Sequence, residues 1–233
     1  MYAPDLRGHG GSSWTPGSYR LWDYAGDVIG VLEAIVDIPA AIAGHSLGGE
    51  VAIIVAAERP DLVRAAIPID APLSAGETRR TVEPDRKRLV LMRSLHSLSG
   101  DDVVAAMREL PILDRETGRT VPAHELTDDS HVFAEDAEAV LRNDPAMLDA
   151  VIEFDEMHAG YEAARILPRV KSPVLLLLAD PDVQSAVSDE HASLALALLQ
   201  DGRMVRLPKT THGLVWEEPD AVVAAIEDFL DSI

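Results

Sequence analysis

The stretch Ala40-Ala-Ile-Ala-Gly-His-Ser-Leu-Gly-Gly49 decides how the rest of the chain is read. Within it, Gly44-His45-Ser46-Leu47-Gly48 fits G-x-S-x-G, the pattern of a nucleophile elbow that sets a serine on a sharp strand-to-helix turn. The short apolar run ahead of it reads as a buried strand. Glu50-Val-Ala-Ile-Ile-Val-Ala-Ala-Glu58 behind it reads as a helix stopped by Pro60. Such a turn strains the backbone and brings its flanks close together, so small neighbours are required; Gly44 and Gly48 supply them. The helix N-terminus then aims its free N–H groups at whatever lies over Ser46, which suits a developing oxyanion. A Gly-rich loop that merely turns the chain is the plainer alternative. The strand before, the helix after and the additional Gly49 favour the chemical reading.

At 233 residues the chain is long enough to bury a full core as one domain with an insertion. Apolar residues make up 47%, a globular composition. Lys plus Arg number 20 against 40 Asp plus Glu, a formal charge of -20. That surface repels nucleic acid and anionic lipid, so neither is expected as a main partner. Cysteine is absent, which removes disulfides and thiolate catalysis and fits a reducing, cytoplasmic compartment. Apolar runs such as Val174-Leu-Leu-Leu-Leu-Ala179 are too short to span a bilayer.

Outward from the elbow, Met1-Tyr-Ala-Pro-Asp-Leu-Arg-Gly-His-Gly10 looks like the end of a strand entering a Gly-rich loop, with Tyr2-Ala3 as the strand. Tyr24, Val28, Val31, Leu32 and Ile35 recur at helical spacing over Leu21–Val36. Arg64-Ala-Ala-Ile-Pro-Ile-Asp70 reads as a short buried strand ending in a carboxylate. Residues 72–170 show no strand-like run; helices are expected over Arg86–Leu98, Asp101–Glu109, His131–Arg142 and Ala146–His158, an all-helical insertion. Strand character returns at Ser172–Ala179 and Arg203–Leu207, around a helix that starts at the N-cap Ser188. Pro219–Ile233 closes the chain as an amphipathic helix. Strands alternating with helices imply a mostly parallel sheet with helices on both faces, built from residues 1–71 and 171–233.

A serine nucleophile needs a base within hydrogen-bond reach and a carboxylate to orient that base. In open α/β sheets such groups come from loops at the carboxyl ends of strands. The strand ending at Ala179 leads into Asp180-Pro-Asp182, and the strand ending at Leu207 into Pro208-Lys-Thr-Thr-His-Gly213. The chain order is therefore Ser46, Asp, His212.

On Pro4-Asp-Leu-Arg-Gly-His-Gly10, Gly44–Gly49, Asp180-Pro-Asp182, and His212 with Trp216-Glu-Glu-Pro219, the sequence resembles lidded α/β-hydrolase-fold proteins of the esterase, haloperoxidase and C–C hydrolase kind. The resemblance implies a three-layer α/β-hydrolase sheet with residues 72–170 as a helical lid. It implies a serine hydrolase without cofactor, acting on a small-molecule ester, lactone or related acyl substrate. Ser46 would be the nucleophile, His212 the base and the Leu47 N–H one oxyanion donor. The family's usual pattern makes Asp182 the acid, with Asp180 and Asp70 as alternatives. Relative to the family, the first three strands and first helix are missing, including the loop that carries the other oxyanion donor. The sheet is thus expected to be N-terminally truncated, its elbow strand exposed along one edge, and the chain a poor enzyme and poor soluble monomer.

Other residues have plainer readings. The resemblance makes His9 a structural loop residue, and His45 is expected to pack, facing away from Ser46. His124, Glu125, Asp128 and His131 cluster without a common zinc spacing, so no metal is assigned. Trp14, Met92, His96, Met107 and Phe133 either line a substrate pocket or pack the lid; Trp22 and Trp216 read as packing residues. Ser46 argues against epoxide hydrolysis and dehalogenation, which place a carboxylate at the elbow. The competing class is a non-catalytic receptor or interaction module on the same fold, or an inactive fragment.

Overall fold

The computed structural model describes every residue of the chain except Asp37, Arg115, Glu116 and Asp128. In chain order the elements are α1 (Leu21–Ile35), β1 (Ala40–His45), α2 (Leu47–Glu58), β2 (Val63–Ile69), α3 (Ala75–Ser94), α4 (Asp101–Arg108), β3 (Pro111–Asp114), β4 (Arg119–Pro122), α5 (Ser130–Leu141), α6 (Pro145–Glu153), α7 (Ala163–Ile166), β5 (Val174–Leu178), α8 (Asp189–Leu198), β6 (Gly202–Arg206), α9 (Leu214–Glu217) and α10 (Pro219–Asp231). They fall into two compact units: Arg20–Thr81 with His158–Ile233, and Met1–Tyr19 with Val82–Met157. Among the described residues no helix is long and apolar enough to cross a membrane.

The first unit is built on a parallel sheet of order β1-β2-β5-β6. Parallel neighbours need crossover connections, which here are helical. β5 is buried throughout and β2 nearly so, as expected of apolar strands covered on both faces. Ala65, Ile67, Ile69, Leu175 and Leu177 share one face and pack against Val222 and Phe229 of α10. On the opposite face, Gly49 of α2 lies against Pro68 and Ala71. Every residue of α2 from Gly49 to Ala57 is buried, because α1 packs against α2 as well. Each Val or Ile so buried stabilises the fold by about 1.5–3 kcal/mol relative to exposure. The helix ends at Arg59, since a residue before proline disfavours the helical conformation.

Buried polar bonds decide which flanking residues belong with the sheet. Thr78 Oγ1 donates to Glu50 Oε1 at 3.0 Å, and His158 Nε2 lies 3.4 Å from Glu50 Oε2, all three residues being buried. The expected limits of the insertion, residues 72 and 170, therefore shift inward to Val82 and Met157.

The second unit has its own core of Leu95, Val103, Met107, Leu110, Phe133 and Val140. Its N-terminal segment is held by Asp144, which caps α6 by accepting the Ala146 N–H at 2.9 Å and accepts a hydrogen bond from the Tyr19 hydroxyl. The Asp144 N–H in turn donates to the Gly8 carbonyl at 2.7 Å. Met1–Tyr19 thus joins the inserted helices rather than the sheet, contrary to the sequence-based division. The insertion is also not all helical: β3 and β4 form an antiparallel hairpin in register from Pro111–Pro122 to Asp114–Arg119. The two prolines that punctuate the sequence like helix breakers face each other at the open end of that hairpin, where strands tolerate them.

Tyr2 and Ala3 form no strand. Among the described residues β1 pairs with β2 alone, and Ala43 is exposed, so the elbow strand is an edge rather than a buried strand.

Candidate active site

Ser46 occupies the sharp turn between β1 and α2 with φ 52 and ψ -119, a conformation that side chains rarely adopt. Its N–H donates to the Ile69 carbonyl at 3.0 Å, and its own carbonyl accepts the N–H groups of Gly49 and Glu50 at 2.9 and 3.1 Å. The glycines have unequal roles. A Cβ on Gly44 would fall 2.2 Å from the Gly48 carbonyl oxygen, and one on Gly49 would fall 2.5 Å from the Ala71 Cβ. A Cβ on Gly48 would meet nothing within 4 Å, so the close approach rests on Gly44 and Gly49 rather than on Gly44 and Gly48. Leu47 is the first residue of α2, where the N–H has no carbonyl one turn earlier in the helix to receive it.

His212 lies in the loop that leaves β6. Its Nε2 is 2.9 Å from Ser46 Oγ and its Nδ1 is 2.8 Å from Asp70 Oδ2. A carboxylate accepts only, so Nδ1–H donates to Asp70 and Nε2 is left to accept the serine proton. The loop is fixed by the Thr211 N–H donating to Glu217 Oε2 at 2.8 Å and the Gly213 N–H donating to Thr211 Oγ1 at 3.1 Å.

Asp70 follows β2 with φ 41 and is fully buried. Besides His212, it accepts from the Ala179 N–H at 3.1 Å, Ser185 Oγ at 2.7 Å and the Ala186 N–H at 2.9 Å. Burial works against its ionisation, but the hydrogen bonds from His212 and Ala186, the His212 charge and the Ser185 bond outweigh burial. The carboxyl is held below its ordinary value of 3.8.

The expectation that Asp182 meets the imidazole is therefore corrected: Asp70 does. Asp182 is exposed, and its N–H donates to Asp180 Oδ1 at 2.9 Å. Asp180 also accepts the Lys209 N–H at 2.7 Å, so its carboxylate braces the loop ahead of His212 instead of touching the ring. The Lys209 and Asp182 bonds hold the Asp180 carboxyl below its ordinary value. The sequence carried a signal for Asp70, a carboxylate closing a short apolar strand. The groups that surround it, Ala179 and Ser185-Ala186, lie more than a hundred positions away along the chain and gave no such signal.

His45 also differs from expectation. Its Nε2–H donates to the His212 carbonyl at 2.7 Å, and its ring lies 4.6 Å from the His212 ring. Trp216, read as a packing residue, is 76% exposed and meets His45 edge-on at 5.3 Å. Trp22 is partly exposed on α1.

In the second unit, Met107 and Phe133 belong to its core with Met92 packed against it, and Trp14 Nε1 donates to the Arg142 carbonyl at 3.4 Å. Burial pushes the His96 imidazole below its ordinary value. His9 Nδ1–H donates to the Arg7 carbonyl at 3.0 Å, a loop-closing bond. Of the cluster His124, Glu125, Asp128 and His131, Asp128 lies outside the described residues. His124 Nδ1–H donates to the Arg108 carbonyl at 3.1 Å. Among the described residues no group of three or more His, Asp or Glu side chains is arranged to hold a metal ion.

Comparison with known proteins adds three likenesses. The chain is 41% identical over 68 residues to the 2-(acetamidomethylene)succinate hydrolase of Mesorhizobium japonicum, a match spanning 29% of this chain and 24% of that relative. It is 27% identical over 241 aligned positions to the pimeloyl-[acyl-carrier protein] methyl ester esterase of Neisseria meningitidis serogroup B, covering 98% of this chain and 81% of the relative. Its structure superposes on the enol-lactonase of Burkholderia xenovorans LB400 with a TM-score of 0.67 at 20% identity, over 97% of this chain and 79% of the other, a likeness of fold. Residues 1–225 match the alpha/beta hydrolase family, and to that family the chain belongs.

Proposed function

We propose that the chain is a serine hydrolase for a small-molecule ester, lactone or related acyl substrate, with Ser46 as nucleophile, His212 as base and Asp70 as orienting acid. One observation carries the reading: the His212 ring bridges Ser46 Oγ at 2.9 Å and the buried Asp70 carboxylate at 2.8 Å.

The chemistry follows from that bridge. Ser46 Oγ bonds to the substrate carbonyl carbon while its proton passes to His212 Nε2. The carbonyl electron pair moves onto oxygen, where the Leu47 N–H at the start of α2 receives the charge. Asp70 holds the imidazolium that forms, through the Nδ1–H bond. The bond to the leaving oxygen then breaks and His212 returns the proton to it; in a lactone that oxygen stays tethered to the acyl group. Water, deprotonated by His212, attacks the acyl-serine; the bond from the acyl carbon to Oγ then breaks, His212 returns its proton to Oγ, and the acid leaves. Nucleophile, base, acid and oxyanion donor all come from the chain, so the reaction calls for no cofactor. The ester hydrolysis named for the Neisseria relative, similar along nearly the whole of this chain, supports the same class.

The test is covalent labelling by a fluorophosphonate probe alongside p-nitrophenyl acetate hydrolysis, for the wild type and Ser46→Ala. Labelling and turnover that disappear with Ser46 support the reading. An inert wild type, or equal labelling of both proteins, overturns it.

A further inference from the structure

The triad leaves one close contact of His212 unused. His212 is tethered through its ring to Asp70 and Ser46, but the Ser46 tether is made of the reacting atoms themselves. Once the proton has moved and the acyl group sits on Oγ, that bond no longer positions the base for deacylation. A tether that survives acylation has to avoid the reacting atoms.

His45 provides such a tether. It precedes Ser46 on β1, and its Nε2–H donates to the main-chain carbonyl of His212 at 2.7 Å. A carbonyl accepts only, so this contact requires a proton on Nε2, which the Nε2–H tautomer of the neutral imidazole supplies. Burial first, then the neighbouring His212 charge, lower the His45 imidazole to about 4, so at neutral pH the ring is neutral and the bond selects its Nε2–H tautomer. The ring is steadied edge-on by Trp216 and lies 4.6 Å from the His212 ring. A second cation at that distance would oppose the imidazolium formed in each half-reaction, and a neutral His45 does not.

We propose that His45 is a positioning residue that ties the backbone of the base to the strand carrying the nucleophile throughout the catalytic cycle. This rests on the serine-hydrolase reading above. Its physical content is a hydrogen bond across the elbow, as opposed to mere filling of space beside Trp216.

Two substitutions separate these roles. His45→Phe keeps an aromatic ring against Trp216 and removes the donor; His45→Gln keeps an N–H donor at similar reach and removes the ring. The readouts are the rate constant of fluorophosphonate labelling and the kcat and KM for p-nitrophenyl acetate, on protein shown to be folded by its melting curve. Misplacing a reacting group by about 1 Å costs on the order of 10²-fold, so His45→Phe should lose about 10- to 100-fold in kcat and labelling rate with KM little changed. His45→Gln should recover most of that loss. A folded His45→Phe that matches the wild type, or a folded His45→Gln slower than His45→Phe, overturns the proposal. If His45→Phe does not fold, His45→Gln decides: near wild-type kcat supports the tether, and a loss of about 100-fold overturns it. A wild type that the probe does not label overturns the serine-hydrolase reading and this proposal with it. A labelled wild type alongside an unaffected His45→Phe overturns this proposal alone.

Discussion

Asp70 Oδ2 lies 2.8 Å from His212 Nδ1, and the two residues are 142 positions apart in the chain. In the proposed triad this contact makes Asp70 the carboxylate that orients the base, and so predicts which substitution should matter. Asp70→Asn keeps the shape but can present an amide N–H to Nδ1, favouring the wrong imidazole tautomer. An equivalent change in a serine triad lowers kcat by about 10⁴-fold, and a loss of roughly 10² to 10⁴ is expected here. Asp182→Asn, at an exposed residue, should stay within about twofold of the wild type. Steady-state kinetics on p-nitrophenyl acetate rank the two, and the reverse order would return the acid to Asp182.

The elbow glycines give a stability test independent of chemistry. A Cβ on Gly49 would lie 2.5 Å from the Ala71 Cβ and 2.7 Å from the Gly44 carbonyl oxygen, inside buried structure that cannot yield. Gly49→Ala should therefore destabilise by about 1–3 kcal/mol or more through overpacking. Gly48→Ala meets open space in a helix, where Ala is preferred by about 1 kcal/mol, so it should be neutral or stabilising. Urea denaturation of the two variants measures the contrast. Equal effects would mean that the packing of α2 on the sheet is looser than described.

Much of this was legible in the sequence, and the failures share a cause. Local signals were sound: the elbow, the Ser188 cap and the apolar runs of β2 and β5 all sit where short-range pattern puts them. What pattern could not rank was a choice between carboxylates, because Asp70, Asp180 and Asp182 all follow apolar strands. Burial and the donors from Ala179, Ser185 and Ala186 distinguish them, and these arise only when β2 and β5 pair. The β3–β4 hairpin escapes pattern reading because its strands are short and begin or end on proline, which reads as helix punctuation. His45 reads as a packing residue in the sequence because the carbonyl it binds lies 167 positions away.

Replacement of the proposed nucleophile is the most direct check on the reaction. Ser46→Ala removes Oγ and leaves its backbone neighbours in place. Ester turnover should fall by roughly 10³-fold or more, with a residue of activity from the remaining polar groups. Because Ser46 has φ 52, alanine retains the same backbone strain, and its melting temperature should lie close to that of the wild type. Turnover near the wild-type rate would place the nucleophile elsewhere.

The same site should make the fold sensitive to acid, with a sign set by two depressed groups. Burial and the His212 charge lower the His45 imidazole to about 4 in the folded chain, against an ordinary 6.5, so between those values the unfolded state binds the proton more readily. Its contribution is complete above 6.5 and is lost as pH falls toward about 4. Asp70, also depressed, contributes stability that is present above its ordinary 3.8 and is lost only on further acidification. The two windows are therefore separate, with His45 acting first. Thermal melts should show the wild type losing stability progressively from neutral pH down to about 4, while His45→Gln, which cannot take up a proton, loses less across that window. Below it, the slopes of the two proteins should converge while Asp70→Asn departs from both. Parallel curves for the wild type and His45→Gln between neutral pH and about 4 would mean that His45 is not held neutral by its surroundings.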